Sequence, residues 1–148
     1  MQTLTEKIIS NYIEKKSHAD LVSQGSAYWI EPEHIMSHDN SAAIIKKFND
    51  FNIKKVINKK QPVIALDHNI QDKSIQNEKK YSRIEQFSIK NNLTFFSSGK
   101  GIGHQIMVEE GFAFPGTFCV ASDSHANMYG GVGCLGTPVV RTDAAAIW

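Results

Sequence analysis

Three of the six histidines in this 148-residue chain stand at the ends of apolar or glycine-rich runs, in three separate segments, and two of them have an aspartate close by. Val63-Ile64-Ala65-Leu66 leads into Asp67-His68, Gly99-Lys100-Gly101-Ile102-Gly103 leads into His104-Gln105, and Phe118-Cys119-Val120-Ala121 leads into Ser122-Asp123-Ser124-His125. A carboxylate near an imidazole fixes the ring's tautomer and raises its proton affinity, which is what proton-transfer chemistry needs. Buried strands in place of these runs would bring each histidine out where a strand ends, and α/β sheets assemble their sites at the ends of parallel strands. Neighbouring residues on a strand face opposite ways, so pairing across segments is as open as pairing within one. A single such histidine is more often a structural hydrogen-bonding group, but three together favour function.

Two competing chemistries fit less well. Several His and Asp could supply a zinc ion, yet the helical His-x-x-x-His and close His-x-His spacings are missing, and a serine separates Asp123 from His125. The glycines at 99, 101 and 103 resemble a nucleotide loop, but Gly101 stands where a phosphate loop needs Ser or Thr after Gly-Lys, and no long helix is expected there. They serve better as a flexible turn that points His104 into a cleft. The two cysteines, Cys119 and Cys134, form no Cys-x-x-Cys pair and support neither a disulfide framework nor a cluster held by this chain alone.

Sixteen basic and fifteen acidic side chains nearly cancel, so charge offers no argument for a nucleic-acid or anionic-membrane partner. The pairs Lys54-Lys55, Lys59-Lys60 and Lys79-Lys80 read as solvated faces. No stretch approaches the roughly 18 apolar residues of a membrane span, and no targeting peptide is visible at the start.

The elements that must position the histidines follow from periodicity. Thr3-x-x-Glu6 is a capping box for a helix running through Lys16, and Leu21 to Ile30 reads as extended. Asn40-Ser41 caps a second helix through Asn49. Pro62 to Leu66 is a strand, Ser74 to Asn91 a surface helix closed by Asn91-Asn92, and Leu93 to Phe96 a second strand, the unit that builds parallel sheets. Thr117 to Ala121 is a third strand. The expected fold class is therefore α/β with a mainly parallel sheet. Residues 141 to 148 open a helix with a Thr142 cap and stop before two turns are complete, so the domain is expected to be incomplete at its C-terminus.

Met36-Ser37-His38-Asp39-Asn40-Ser41, Leu66-Asp67-His68, Gly101-Ile102-Gly103-His104-Gln105, Glu109-Glu110-Gly111, Ala121-Ser122-Asp123-Ser124-His125, Tyr129-Gly130-Gly131 and Thr142-Asp143-Ala144-Ala145 together resemble the N-terminal part of the aconitase superfamily. The resemblance spans essentially residues 1–148 and implies a three-layer α/β/α domain belonging to a larger multi-domain enzyme. Within the superfamily it leans to the branch that interconverts homoisocitrate and cis-homoaconitate in lysine biosynthesis by the α-aminoadipate route. The isopropylmalate dehydratase and aconitase branches are the alternatives, and a non-catalytic stand-alone binding module is another.

The resemblance implies a hydro-lyase acting on a small tricarboxylate, with a [4Fe-4S] cluster whose cysteine ligands lie outside this chain, so no metal ligand is assigned here. By motif position, Asp67 with His68 and His104 with Asp123 are the implied proton-handling pairs. His38, Asp123, Ser124 and His125 are the implied substrate contacts. The remaining domains of the same enzyme are the implied partners, and a mitochondrial matrix location is implied by the same likeness. By itself, the chain is expected to be inactive.

Overall fold

A computed structural model describes residues 2–13 and 22–148. Helix α1 (Leu4–Tyr12) starts on the expected capping box, with Thr3 and Glu6 satisfying each other's backbone N–H groups. It ends at Ile13, which is extended, whereas the sequence predicts a helix through Lys16; residues 14 to 16 lie outside the described residues. Of the segment expected to be extended up to Ile30, residues 22–30 hold a turn and one antiparallel bridge, Ile13 to Ile30.

The first strand comes later than the sequence suggests. Strand β1 (His34–Ser37) follows Pro32, and its Ile-Met pair is too short an apolar run to stand out. Helix α2 (Ser41–Asp50), strand β2 (Pro62–Ala65), helix α3 (Ile75–Asn91), strand β3 (Thr94–Phe96), helix α4 (Gly103–Glu109) and strand β4 (Phe118–Ala121) then alternate. A short 3-10 helix (Ala126–Val132), strand β5 (Leu135–Pro138) and helix α5 (Arg141–Ile147) complete the chain. Helix α5 begins one residue before Thr142, with Val140 at its cap position and no side-chain cap, so Thr142 is not the cap expected of it.

All strand pairs are parallel, in the order β3-β2-β1-β4-β5. The central strands are buried on both faces, which is why β2 and β4 read as unbroken apolar runs. Ile35, Ile64 and Val120 pack with Ile44 and Phe48 of α2, Ile84 of α3 and Ala144 of α5 on one face. Met36, Val63, Cys119 and Ala121 pack with Met107 of α4 and Tyr129 of the 3-10 helix on the other. The result is the expected three-layer α/β/α arrangement.

The strand order reverses at β1. The chain steps outward from β1 to β2 to β3, then crosses by α4 to place β4 on the opposite side of β1. At such a switch point the connections leave the sheet in opposite directions and open a crevice at the carboxyl ends of the two strands. No helix of the described residues is long and apolar enough to cross a membrane.

Candidate active site

The segments leaving β1, β2, β3 and β4 carry every residue singled out from the sequence. His38 and Asp39 follow β1, Asp67 and His68 follow β2, and Asp123, Ser124 and His125 follow β4. His104 differs from expectation. The glycine-rich run before it forms no strand, and His104 stands in the first turn of α4, with Gly99 and Gly101 at positive φ of 88° and 136° making the bend.

The Asp67-His68 pair forms within its own motif. Asp67 Oδ1 lies 2.5 Å from His68 Nδ1, and Asp67 Oδ2 accepts from the backbone N–H of Gly103 at 2.6 Å. The aspartate is sealed, with its side chain 5% exposed, while the His68 side chain is 51% exposed. Asp67 therefore fixes the ring through Nδ1, and Nε2 of the half-exposed His68 makes no hydrogen bond among the described residues. A side chain at position 103 would crowd this bond, because a Cβ there lies 3.1 Å from Asp67 Oδ2 and 3.3 Å from Met36 Sδ.

The second pair forms across segments. His104 Nε2 lies 2.8 Å from Asp123 Oδ1, and His104 Nδ1 lies 2.9 Å from the hydroxyl of Tyr129. A carboxylate accepts only, so the neutral ring carries its proton on Nε2 and the Tyr129 hydroxyl donates to Nδ1. Burial of Tyr129 keeps that phenol protonated, far above its ordinary range. Asp123 also accepts from the backbone N–H of His125 at 2.8 Å and faces His125 Nδ1 at 2.9 Å. Burial alone would raise its proton affinity, but the bonds from His104 and His125 outweigh it and hold the carboxyl well below the usual range. His125 and Ser124 are exposed beside it.

His38 joins the two pairs. Its ring stacks on His68 with centroids 3.9 Å apart, and its Nε2 points toward Asp123 Oδ2 at 3.7 Å. Burial, and then the neighbouring His68, lower its proton affinity, and its Nδ1 is buried without a partner among the described residues. A cleft of about 760 Å³ opens here, lined by His38, Asn40, Ser122, Asp123 and Ser124 with Lys47 and Arg141 at its edge. Asn40 does not cap α2 as expected. Its side chain ties β1 to β4, donating to the Ser122 carbonyl at 2.5 Å and accepting from the Ser122 hydroxyl at 3.1 Å.

Sequence reasoning missed Tyr129 and Asp39. Tyr129 reaches His104 from the 3-10 helix, and Asp39 accepts from a buried position behind the Asp67-His68 turn. Nothing local in the sequence announces either role, because both depend on partners in other segments.

The donors here are imidazole nitrogens and carboxylate oxygens, which suit proton transfer and anionic substrates and do not suit an iron-sulfur cluster, whose ligands are thiolates. The two thiols are elsewhere. Cys119 and Cys134 are buried in the core beneath the sheet with Met107, Ala113 and Ala126, and Cys119 Sγ donates to the Phe112 carbonyl. The residues of this chain do not fit as ligands of a [4Fe-4S] cluster.

A doubly wound parallel sheet with two carboxylate–imidazole pairs at its switch point carries the groups that acid–base chemistry on a small ligand requires. Comparison with known proteins narrows this class. The profile of the aconitase family (aconitate hydratase) matches residues 6–148, and the chain belongs to that family. It is 52% identical over 147 residues to the protein named homoaconitase, mitochondrial, of Cryptococcus neoformans var. neoformans serotype D, covering 99% of this chain and 20% of that protein. The proteins of the same name from Neurospora crassa and Gibberella zeae are 53% and 54% identical, again over 99% of this chain and 19% of theirs. The chain thus spans about one fifth of the length of these relatives.

Proposed function

We propose that this chain forms the acid–base wall of a hydro-lyase that interconverts homoisocitrate and cis-homoaconitate in lysine biosynthesis. The observation that supports this best is the meeting of two carboxylate–imidazole pairs past the carboxyl ends of the strands, bridged by His38. Removing water from a hydroxy-tricarboxylate takes a base for a carbon-bound proton and an acid for the departing hydroxyl, and two separately held pairs provide for both.

His68 Nε2 is the proton-handling atom of the first pair, oriented by Asp67. In the second pair both ring nitrogens of His104 are already engaged, so His104 does not itself touch substrate. Its Nε2–H keeps Asp123 ionised and in place, so Asp123 Oδ2, beside His38 at the cleft, is the proton acceptor of this pair. His38, Ser124 and His125 bind and orient substrate carboxylates and hydroxyl. The family's [4Fe-4S] cluster would supply Lewis-acid polarisation of the substrate hydroxyl when bound by cysteines of the remaining domains. Those domains are the chain's partners, and the mitochondrial names of the relatives support a matrix location.

Anaerobic assays of the full-length protein on homoisocitrate, isopropylmalate and citrate test this reading. Turnover of homoisocitrate well above the other two is the expected result; a preference for either sister substrate would reassign the branch, and turnover of none would favour a non-catalytic module. The 148-residue chain reconstituted with iron and sulfide is expected to show neither cluster absorbance nor turnover.

A further inference from the structure

We propose that Asp39 is a positioning residue for this chemistry, holding the backbone of residues 67 to 69 so that Asp67 and His68 meet past the carboxyl ends of the strands. The inference rests on the functional reading above and extends it to a residue outside both proton-handling pairs. Asp39 stands two residues past the end of β1 and is 6% exposed. Its Oδ1 accepts from the backbone N–H groups of Asp67 at 3.1 Å and His68 at 3.3 Å, and its Oδ2 accepts from that of Asn69 at 2.9 Å. The Tyr81 hydroxyl donates to Oδ2 at 2.6 Å, and Lys80 Nζ stands 3.7 Å from the same oxygen.

Three consecutive backbone donors turned to one point make a concavity for an anion, and here the protein fills it with its own carboxylate. A buried charge is tolerated only when it is paired and fully hydrogen-bonded, and the three amides, the Tyr81 hydroxyl and the Lys80 ammonium together meet that requirement. Burial opposes ionisation of Asp39, but Tyr81 and the backbone donors outweigh it, so the carboxylate is ionised at neutral pH. The held amides belong to Asp67 and His68 themselves, so a loss at Asp39 reaches the catalytic pair with no intervening element. Lys80 and Tyr81 extend the same support to α3, which otherwise lies behind the sheet.

Asp39→Asn keeps the shape but turns a donor toward backbone N–H groups. In the full-length cluster-loaded enzyme it is expected to lower kcat about tenfold to a hundredfold, as loss of outer supporting bonds does at other sites. KM and cluster absorbance should stay near the parent's, the melting temperature should fall because buried amides lose their acceptor, and at temperatures where the variant stays folded a crystal structure should show residues 67–69 displaced from β1. Tyr81→Phe, which removes one donor and keeps the carboxylate, should give a smaller loss of kcat with the same unchanged KM. Parent-like kcat in both variants, an undisplaced turn in Asp39→Asn, or a fall in KM-normalised turnover explained by lost cluster and stability would overturn the proposal. Should Asp39→Asn fail to fold, Tyr81→Phe decides it, and parent turnover there would overturn it. The displacement of the turn is read without substrate, so a parent enzyme inactive on all three acids would sink the functional reading while this test still stands.

Discussion

The imidazoles of His38 and His68 lie face to face, with centroids 3.9 Å apart and planes 18° from parallel. Two rings so close do not both carry a proton cheaply. His68 is bonded to Asp67 and His38 faces Asp123, so the stacked rings join the two pairs in one chain of contacts. The site is one network rather than two neighbouring pairs.

The first prediction follows from the sign of the His38 shift. Burial and then His68 hold its folded value below the ordinary histidine range, so the unfolded chain binds its proton first as pH falls through about 6.5. Where the unfolded state binds more protons, stability falls with falling pH. His38→Gln lacks this titration and should therefore lose less stability than the parent between about pH 7 and pH 5. Urea unfolding across that interval checks it, and a parent-minus-variant difference independent of pH would reject it.

A second prediction concerns the buried end of the network. Tyr129→Phe removes the donor to His104 Nδ1 and leaves a buried ring nitrogen unpaired, at a cost of about 1–3 kcal/mol. The ring also loses one of the two bonds that fix its orientation, so turnover of the full-length enzyme should fall about tenfold to a hundredfold. His104→Ala should remove most turnover with the cluster intact. The double variant should be scarcely worse than His104→Ala, because both changes act through one group. Additive losses would show that Tyr129 acts elsewhere.

What each residue touches decides how legible it is in the sequence. β2, β3, β4 and α3 are legible because their apolar residues contact the core within short continuous stretches. β1 is not, since four residues between Pro32 and a polar segment carry too few apolar positions to show a period. Asp67 and His68 are legible because their bond is between sequence neighbours. Asp39 is hidden because its donors are amides near position 68 and side chains near position 80, and Lys80, expected on a solvated face, stands beside that buried carboxylate. The roles proposed for Asp67, His68, His104 and Asp123 rest on resemblance, and the geometry adds the division between a half-exposed ring, His68, and a buried ring bonded at both nitrogens, His104.

The carboxylates give a third prediction, in acid. Asp39 and Asp123 are both held below the ordinary carboxylate range despite burial, which opposes ionisation in each. A depressed folded value contributes stability that is present above the unfolded value of about 4 and is lost as pH falls through the folded value. Asp123→Asn should therefore be less stable than the parent at neutral pH and approach it below about pH 3. Acid titration of both proteins followed by circular dichroism measures this. Parallel curves would mean that the His104 and His125 bonds to Asp123 contribute little.

The last prediction separates support of Tyr129 from general packing. A Cβ added at Gly136 of β5 would fall against the backbone carbonyl oxygen of Ala126, well inside contact distance, and 3.0 Å from Tyr129 Cδ2. Backbone cannot rotate away as a side chain can, so the 3-10 helix must shift and carry Tyr129 with it. Gly136→Ala is expected to cost about 1–3 kcal/mol, the usual range for overpacking. Gly130, on the same 3-10 helix, has open space where a methyl would stand and no positive φ, so Gly130→Ala should be close to neutral. Because Tyr129 donates to His104, Gly136→Ala should also lower kcat in the full-length enzyme at temperatures where it remains folded, and Gly130→Ala should not. A Gly136→Ala enzyme that is less stable yet turns over normally would show that the 3-10 helix supports the fold without setting the position of His104.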